Sequence, residues 1–189
     1  RWALANSFKY VAISLTMGFF VPIFLALMLA EVPVGKMFYR TLYYLPAVTS
    51  GIVIMFLWRQ FYDPTAQGLF NTLIAHIGIG PQEWLNNAKL AMFCVILPGI
   101  WAGAGPGSII YLAALKSIPD EMYEAADVDG AGIWVKIRHV VFPMLAPLII
   151  INFVGAFIGA FKVMENIFVM TGGGPNYSTH VMGLEIWYN

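Results

Sequence analysis

Several stretches of this sequence carry residue types that do chemistry in other proteins, and their spacing decides whether they do it here. Gly35-Lys36 is followed by Met37, and position 30, five residues earlier, is alanine. A phosphate-cradling loop needs a glycine there and a hydroxyl after the lysine, so no P-loop is present. Gly172-Gly173-Gly174-Pro175 has backbone freedom, but no strand pattern precedes it and no lysine follows. It reads as a turn. His76, His139 and His180 are too far apart to share helical ligand spacing. Asp127-Val128-Asp129-Gly130 has the look of a calcium loop's middle. Placing Gly130 at the sixth position puts Ala125 first and Lys136 twelfth, where carboxylates are required. No nucleophile stands on a strained turn of the hydrolase kind. Cys94, the single cysteine, lies inside an apolar run and reads as a small buried hydrophobe. No catalytic residue and no metal site is assigned.

One polar island has an organised pattern. From Ser117 to Gly132 the residues predict a short capped helix. Ser117 is placed to cap, Asp120 to answer it three residues later, and Pro119 suits the first turn. Asp120, Glu121 and Glu124 favour the positive end of the helix dipole. Gly130 and Gly132 then break the helix, and a second one is expected from about Ile133 towards Pro143. An ordinary connector is shorter and less ordered. Acidic at its start and basic at its end, this loop is a surface for a partner.

The elements that carry the island are apolar. Of 189 residues 60% are hydrophobic and 11% charged, with ten basic and ten acidic side chains and mean hydropathy +0.75. Soluble domains average about 25% charged residues. Such a chain cannot hide its apolar surface from water, lacks the basic stripe of a nucleic-acid binder and is no disordered chain. Tyr10–Ala30, Thr41–Trp58, Leu90–Leu115 and Val140–Phe161 are free of charge over 21, 18, 26 and 22 residues. About 20 residues of helix cross a bilayer. The reading is an all-α polytopic transmembrane bundle forming one domain over 1–189. Its spans are expected at about 8–30, 41–61, 89–115 and 140–162, with a further one beginning near 179. The chain opens on Arg1 and stops in mid-pattern, as a segment of a longer protein would.

Basic residues set the expected orientation. Lys36 and Arg40 lie in one connection, and Lys116, Lys136 and Arg138 in the 116–139 loop; 62–88 and 166–189 carry neither Lys nor Arg. Alternating spans put both basic connections on one face, cytoplasmic by the positive-inside rule. In 62–88, Leu69, Phe70, Leu73, Ile74 and Ile77 predict a short amphipathic helix lying on the bilayer or the bundle. Gly99, Gly103 and Gly107, and again Gly155 and Gly159, recur every four residues, a spacing that allows close helix approach within or between subunits. Pro98 and Pro106 predict a kinked or broken helix. Asn152 is polar at membrane depth, and Lys162, Glu165 and Asn166 follow near the end of its span. Such residues are candidates for a substrate path, although Lys162 and Glu165 are spaced to pair with each other.

Glu124-Ala125-Ala126, then Asp129-Gly130-Ala131, then Phe142-Pro143 with Leu145 and Pro147, resemble the cytoplasmic coupling signature of permease subunits of ATP-binding-cassette importers. That signature reads EAA, a glycine, then Ile/Val-x-Leu-Pro; Val140 and Phe142 depart mildly from it. Phe38-Tyr39-Arg40-Thr41 with Leu45-Pro46, Ile54 to Trp58, and Thr171-Gly172-Gly173-Gly174-Pro175 with Ser178-Thr179 narrow the resemblance to the sugar-importer branch. The resemblance implies a translocation path shared with a second, similar permease. It implies two ATPase subunits using ATP and magnesium, so that this chain is no enzyme and binds no cofactor. It also implies an external solute-binding protein and a bacterial or archaeal inner membrane. Glu124, Ala125, Ala126, Asp129, Gly130 and Pro143 would then meet the ATPase. The alternatives are the same machinery importing a polyol or glycerol phosphate, a membrane-embedded enzyme, or a scaffold. An enzyme would need charged residues inside the spans, where there are none; a scaffold leaves the ordered acidic loop without a purpose.

Overall fold

The computed structural model describes residues 2–31 and 35–189, and among these every regular element is helical. Helix α1 (Trp2–Gly18) and α2 (Val21–Glu31) make one apolar stretch long enough to cross a membrane. They are separated because Pro22 has no N–H for the Gly18 carbonyl; the ladder resumes with Phe24 N–H donating to Phe20 O. Helices α6 (Ala91–Lys116) and the rod Ile133–Phe161 also meet the length and hydropathy of a span.

The expected second span, 41–61, is two helices. α3 (Lys36–Val48) and α4 (Gly51–Phe61) meet at a 99° bend. Thr49 is extended (φ −91°, ψ 139°) and Ser50 follows at ψ 135°. Three residues earlier, Pro46 has already removed a donor from the ladder. A break in α6 does not occur; that helix runs unbroken through Pro98 and Pro106. Each proline deletes one ladder bond, and α6 is held along its length by several helices: Met92, Val95 and Ile96 pack with Tyr10, Ile54 and Met55, and its second half lies against α2 and α3. Tyr111, Leu112 and Leu115 pack with Ile23, Ala26 and Leu29. The Gly105 backbone lies so close to the Tyr43 carbonyl that a β-carbon there would sit 2.0 Å from the oxygen.

That contact revises the glycine reading. Gly107 packs on Pro22, but Gly103, Gly155 and Gly159 have no neighbour within 4 Å of a built β-carbon. The closest approach within the chain comes from Gly105, outside the four-residue series.

The 62–88 connection is organised by Asn71, 1% exposed in the short helix α5 (Leu69–Ala75). Its Nδ2 donates to the carbonyls of Asp63 (3.2 Å), Thr65 (2.9 Å) and Gln82 (3.2 Å). Its Oδ1 accepts from Gln82 N–H and Trp84 Nε1, each at 2.9 Å. Phe70 turns inward onto Trp58, Tyr62 and Trp84, while Leu73 and Ile77 stay exposed. At the same end the glycine-rich turn is tied to the start of the chain. Asn6 Nδ2 donates to the carbonyls of Tyr177 (2.6 Å) and His180 (2.9 Å), and Ser7 Oγ accepts from Met182 N–H at 2.9 Å.

Candidate functional site

At the basic end of the bundle, helix α7 (Asp120–Val128) projects between α6 and the rod that follows. Ser117 does not cap it. Ser117 ends α6, and its Oγ donates to Ala114 O at 2.8 Å, while extended Pro119 precedes Asp120. A hydroxyl still in helical backbone geometry reaches back to its own last turn, not forward.

The far end of α7 explains the glycine. Gly130 N–H donates to Asp127 O at 3.0 Å and Ala131 N–H to Ala126 O at 2.9 Å. This paired closure requires a left-handed residue after the helix, and Gly130 has φ +71°. Tyr123 and Ala126 face inward on the core of Val140, Leu115 and Ile118. Glu121, Glu124, Ala125 and Asp129 face outward. Beside them Val128 is 89% exposed and Trp134 78% exposed. Across the turn Lys136 Nζ lies 2.5 Å from Asp127 Oδ1. A cleft of about 570 Å³ runs between α7 and the rod, lined by Ala125, Asp129, Gly130, Val135 and His139 among others.

The rod comprises α8 (Ile133–Lys136), a π-helical turn (Ile137–Val141) and α9 (Phe142–Phe161). Pro143 sits in the first turn of α9, where an α-ladder would ask it to donate to His139 O. It has no proton to donate, and its ring crowds that carbonyl; the wider π-turn absorbs both effects. Helix therefore continues through Pro143, and the span expected at 140–162 begins in helix from Ile133 onwards.

A groove of about 410 Å³ lies between α1, α6 and α9. Tyr10, Ser14, Gly103, Tyr111 and Asn152 are among its lining residues. Asn152 Nδ2 donates to Leu148 O at 2.9 Å. Asn166 lies above its edge, with Nδ2 3.2 Å from where a Gly99 β-carbon would be and its amide against the Tyr10 hydroxyl. Lys162 and Glu165 are exposed, are absent from the lining and do not pair with each other. Lys162 ends α9, and Met164 (φ −146°) turns the chain before Glu165 begins α10 (Glu165–Met170). Helical i, i+3 geometry is lost across that turn.

Residues 13–176 match the family of binding-protein-dependent transport system inner membrane components. The chain belongs to that family. This family member is 34% identical over 187 residues to a probable ABC transporter permease protein of Pyrococcus horikoshii, covering 98% of this chain and 64% of that one. It is 30% identical over 178 residues to the trehalose/maltose transport system permease protein MalF of Thermococcus litoralis, covering 94% and 59%. Its fold matches the crystal structure of a bacterial ABC transporter that imports the acidic polysaccharide alginate. The TM-score is 0.89 at 31% identity, over 98% of this chain and 66% of that one. The permease chain thus spans less than two thirds of the length of the curated relatives it matches. An all-helical inner-membrane transport permease, expected from the sequence, is what these similarities show.

Three features of the permease escaped sequence reasoning. Asn71 was hidden in an apolar helix, although it adjoins Phe70 on the packed face. Tyr10 and Tyr111 carried no signal, because an aromatic in a span reads as core. The Gly105–Tyr43 contact joins helices whose facing only the fold decides.

Proposed function

We propose that this chain is the permease of an ATP-driven importer and forms, with a second similar permease, the membrane path of a carbohydrate. The groove beside Asn152 is this chain's share of that path. The observation that carries the reading is α7. It is an acidic, outward-facing helix, closed by left-handed Gly130 and pinned by Lys136, at the end bearing the basic connections. By the positive-inside rule that end is cytoplasmic.

The chain has no P-loop, so work must reach it through a rigid element from another subunit. Helix α7 is short, exposed on one face and packed through Tyr123 and Ala126 on the other. It is built to enter a cleft on an ATPase that uses ATP and magnesium. Small Ala125 lets the partner approach, Glu124 offers it a charge, and Asp129 flanks the turn. Motion of α7 passes into the rod through the Asp127–Lys136 pair and the π-turn before Pro143, and so to Asn152. Solute would arrive from an external binding protein docked at the opposite end, near exposed Lys162 and Glu165. The names of the maltose and alginate relatives support a carbohydrate.

Gly130→Leu in the complete transporter tests this. A β-carbon at a left-handed position costs about 1 kcal/mol, and a built one meets nothing within the chain. The bundle should therefore still insert and keep wild-type abundance. ATPase retention and solute uptake should fall together, by tenfold or more. Wild-type uptake from Gly130→Leu and from Glu124→Lys would refute the coupling role of α7.

A further inference from the structure

A second cavity, of about 330 Å³, lies at the basic end of the bundle, where Tyr123 of α7 faces the ends of three spans. The span-length stretches Trp2–Ala30, Ala91–Lys116 and Ile133–Phe161 each contribute to it, through Leu27 and Ala30, Leu115 and Lys116, and Ile133 and Lys136. Its level is therefore the boundary where hydrocarbon gives way to headgroups. Leu115 and Val141 in its lining are buried while Ile133 is 58% exposed, so the cavity runs from the core to the surface. Both charged residues of the lining are lysines, and no acidic residue stands among the described lining residues. Lys136 is held by Asp127. Lys116 is exposed and takes part in no ion pair among the described residues. A lysine ending a helix is ordinary, because the helix dipole favours a cation there. The dipole does not account for an apolar cavity beside it.

We propose that this cavity binds one anionic phospholipid, its phosphate on Lys116 and its first acyl carbons against Leu27, Ala30 and Ile133. The two halves of the site call for two halves of one molecule. A soluble anion would leave the apolar walls wet, and an uncharged lipid would leave Lys116 without a counter-charge. A zwitterionic lipid carries its own cation beside the phosphate, so the lysine gains less from it. Basic pockets between spans select anionic headgroups on this ground. Lys136, already paired with Asp127, adds a weaker attraction. The inference needs only the span ends and the lysines, and does not depend on the importer reading.

The test uses the complete transporter in a neutral detergent, titrated with phosphatidylglycerol or with phosphatidylcholine of the same acyl chains. Lipid-bound species are read by native mass spectrometry. The wild type should bind phosphatidylglycerol more tightly than phosphatidylcholine. Lys116→Gln should weaken phosphatidylglycerol about fivefold, as expected for one cation near a bilayer surface, and leave phosphatidylcholine unchanged. Lys116→Arg keeps the charge and should bind both lipids as the wild type does. Arg138→Gln removes a charge from the same connection but outside the cavity lining. It should change phosphatidylglycerol binding by less than about twofold, because solvent screens an exposed charge beyond the site. Glycerol phosphate, which has the charged group and no acyl chain, should not displace the lipid. Equal affinity of the two lipids in the wild type, or unchanged phosphatidylglycerol affinity in Lys116→Gln, would overturn the site. Equal losses in Lys116→Gln and Arg138→Gln would overturn it too, as general attraction to the basic end. Displacement by glycerol phosphate would overturn the lipid as occupant.

Discussion

Lys136 Nζ and Asp127 Oδ1 are 2.5 Å apart across the Gly130 turn, joining the last turn of α7 to the first turns of the rod that carries Asn152. The lysine is 23% exposed and the aspartate 62%. A pair this open contributes at most about 1 kcal/mol to stability, too little to hold the fold, and under the proposed coupling it would hold the angle of α7. Lys136→Glu should reduce uptake at least threefold without changing abundance. Adding Asp127→Lys should bring uptake back to within twofold of wild type. If the double variant transports no better than the single one, the pair does not set the angle of α7.

A β-carbon on Gly105 would lie 2.0 Å from the Tyr43 carbonyl, which is backbone and cannot rotate away. Gly105→Val should part α3 from α6 and destabilise the protein by about 1–3 kcal/mol, as overpacking does. The check is thermal unfolding in detergent. Gly103→Ala, which adds its methyl to open space in the same helix, should unfold at or above the wild-type temperature.

Asn71→Leu keeps the branched outline and heavy-atom count of the side chain but removes five hydrogen bonds. Each buried group left unpaired costs about 1–3 kcal/mol. Residues 62–88 should lose protection from amide exchange while α6 keeps its own. Equal protection in both segments of the variant would show that the aromatic cluster alone holds the connection.

The two ends of the bundle should face opposite sides of the membrane. In a background with Cys94→Ser, single cysteines at Gln67 and at Val128, both exposed, should label with an impermeant reagent from opposite faces. Labelling from the same side would contradict the alternation of spans.

What the sequence determined by itself is what depends on neighbours in the chain. Charge-free runs long enough to cross a bilayer, basic connections on alternate loops and an acidic helix ending at Gly130 are all local patterns. A helix satisfies its backbone within itself, so its existence in an apolar medium follows from length and composition. The stop of the acidic helix at Gly130 was legible too, because the turn depends on bonds spanning only Ala126 to Ala131. The tertiary structure decided how helices face one another and where the ladder gives way. The bend over 40° fell at Thr49, where an extended residue follows Pro46, while α6, packed along its length by other helices, stays one helix through both prolines. Asn152 and Tyr111, 41 positions apart, line one groove, while Lys162, ten from Asn152, lies off the face that brings Asn152, Ala156 and Gly159 to it. Spacing along one helix predicts which residues share its face. It cannot say which faces of α1, α6 and α9 enclose a space, because that follows from contacts made between helices.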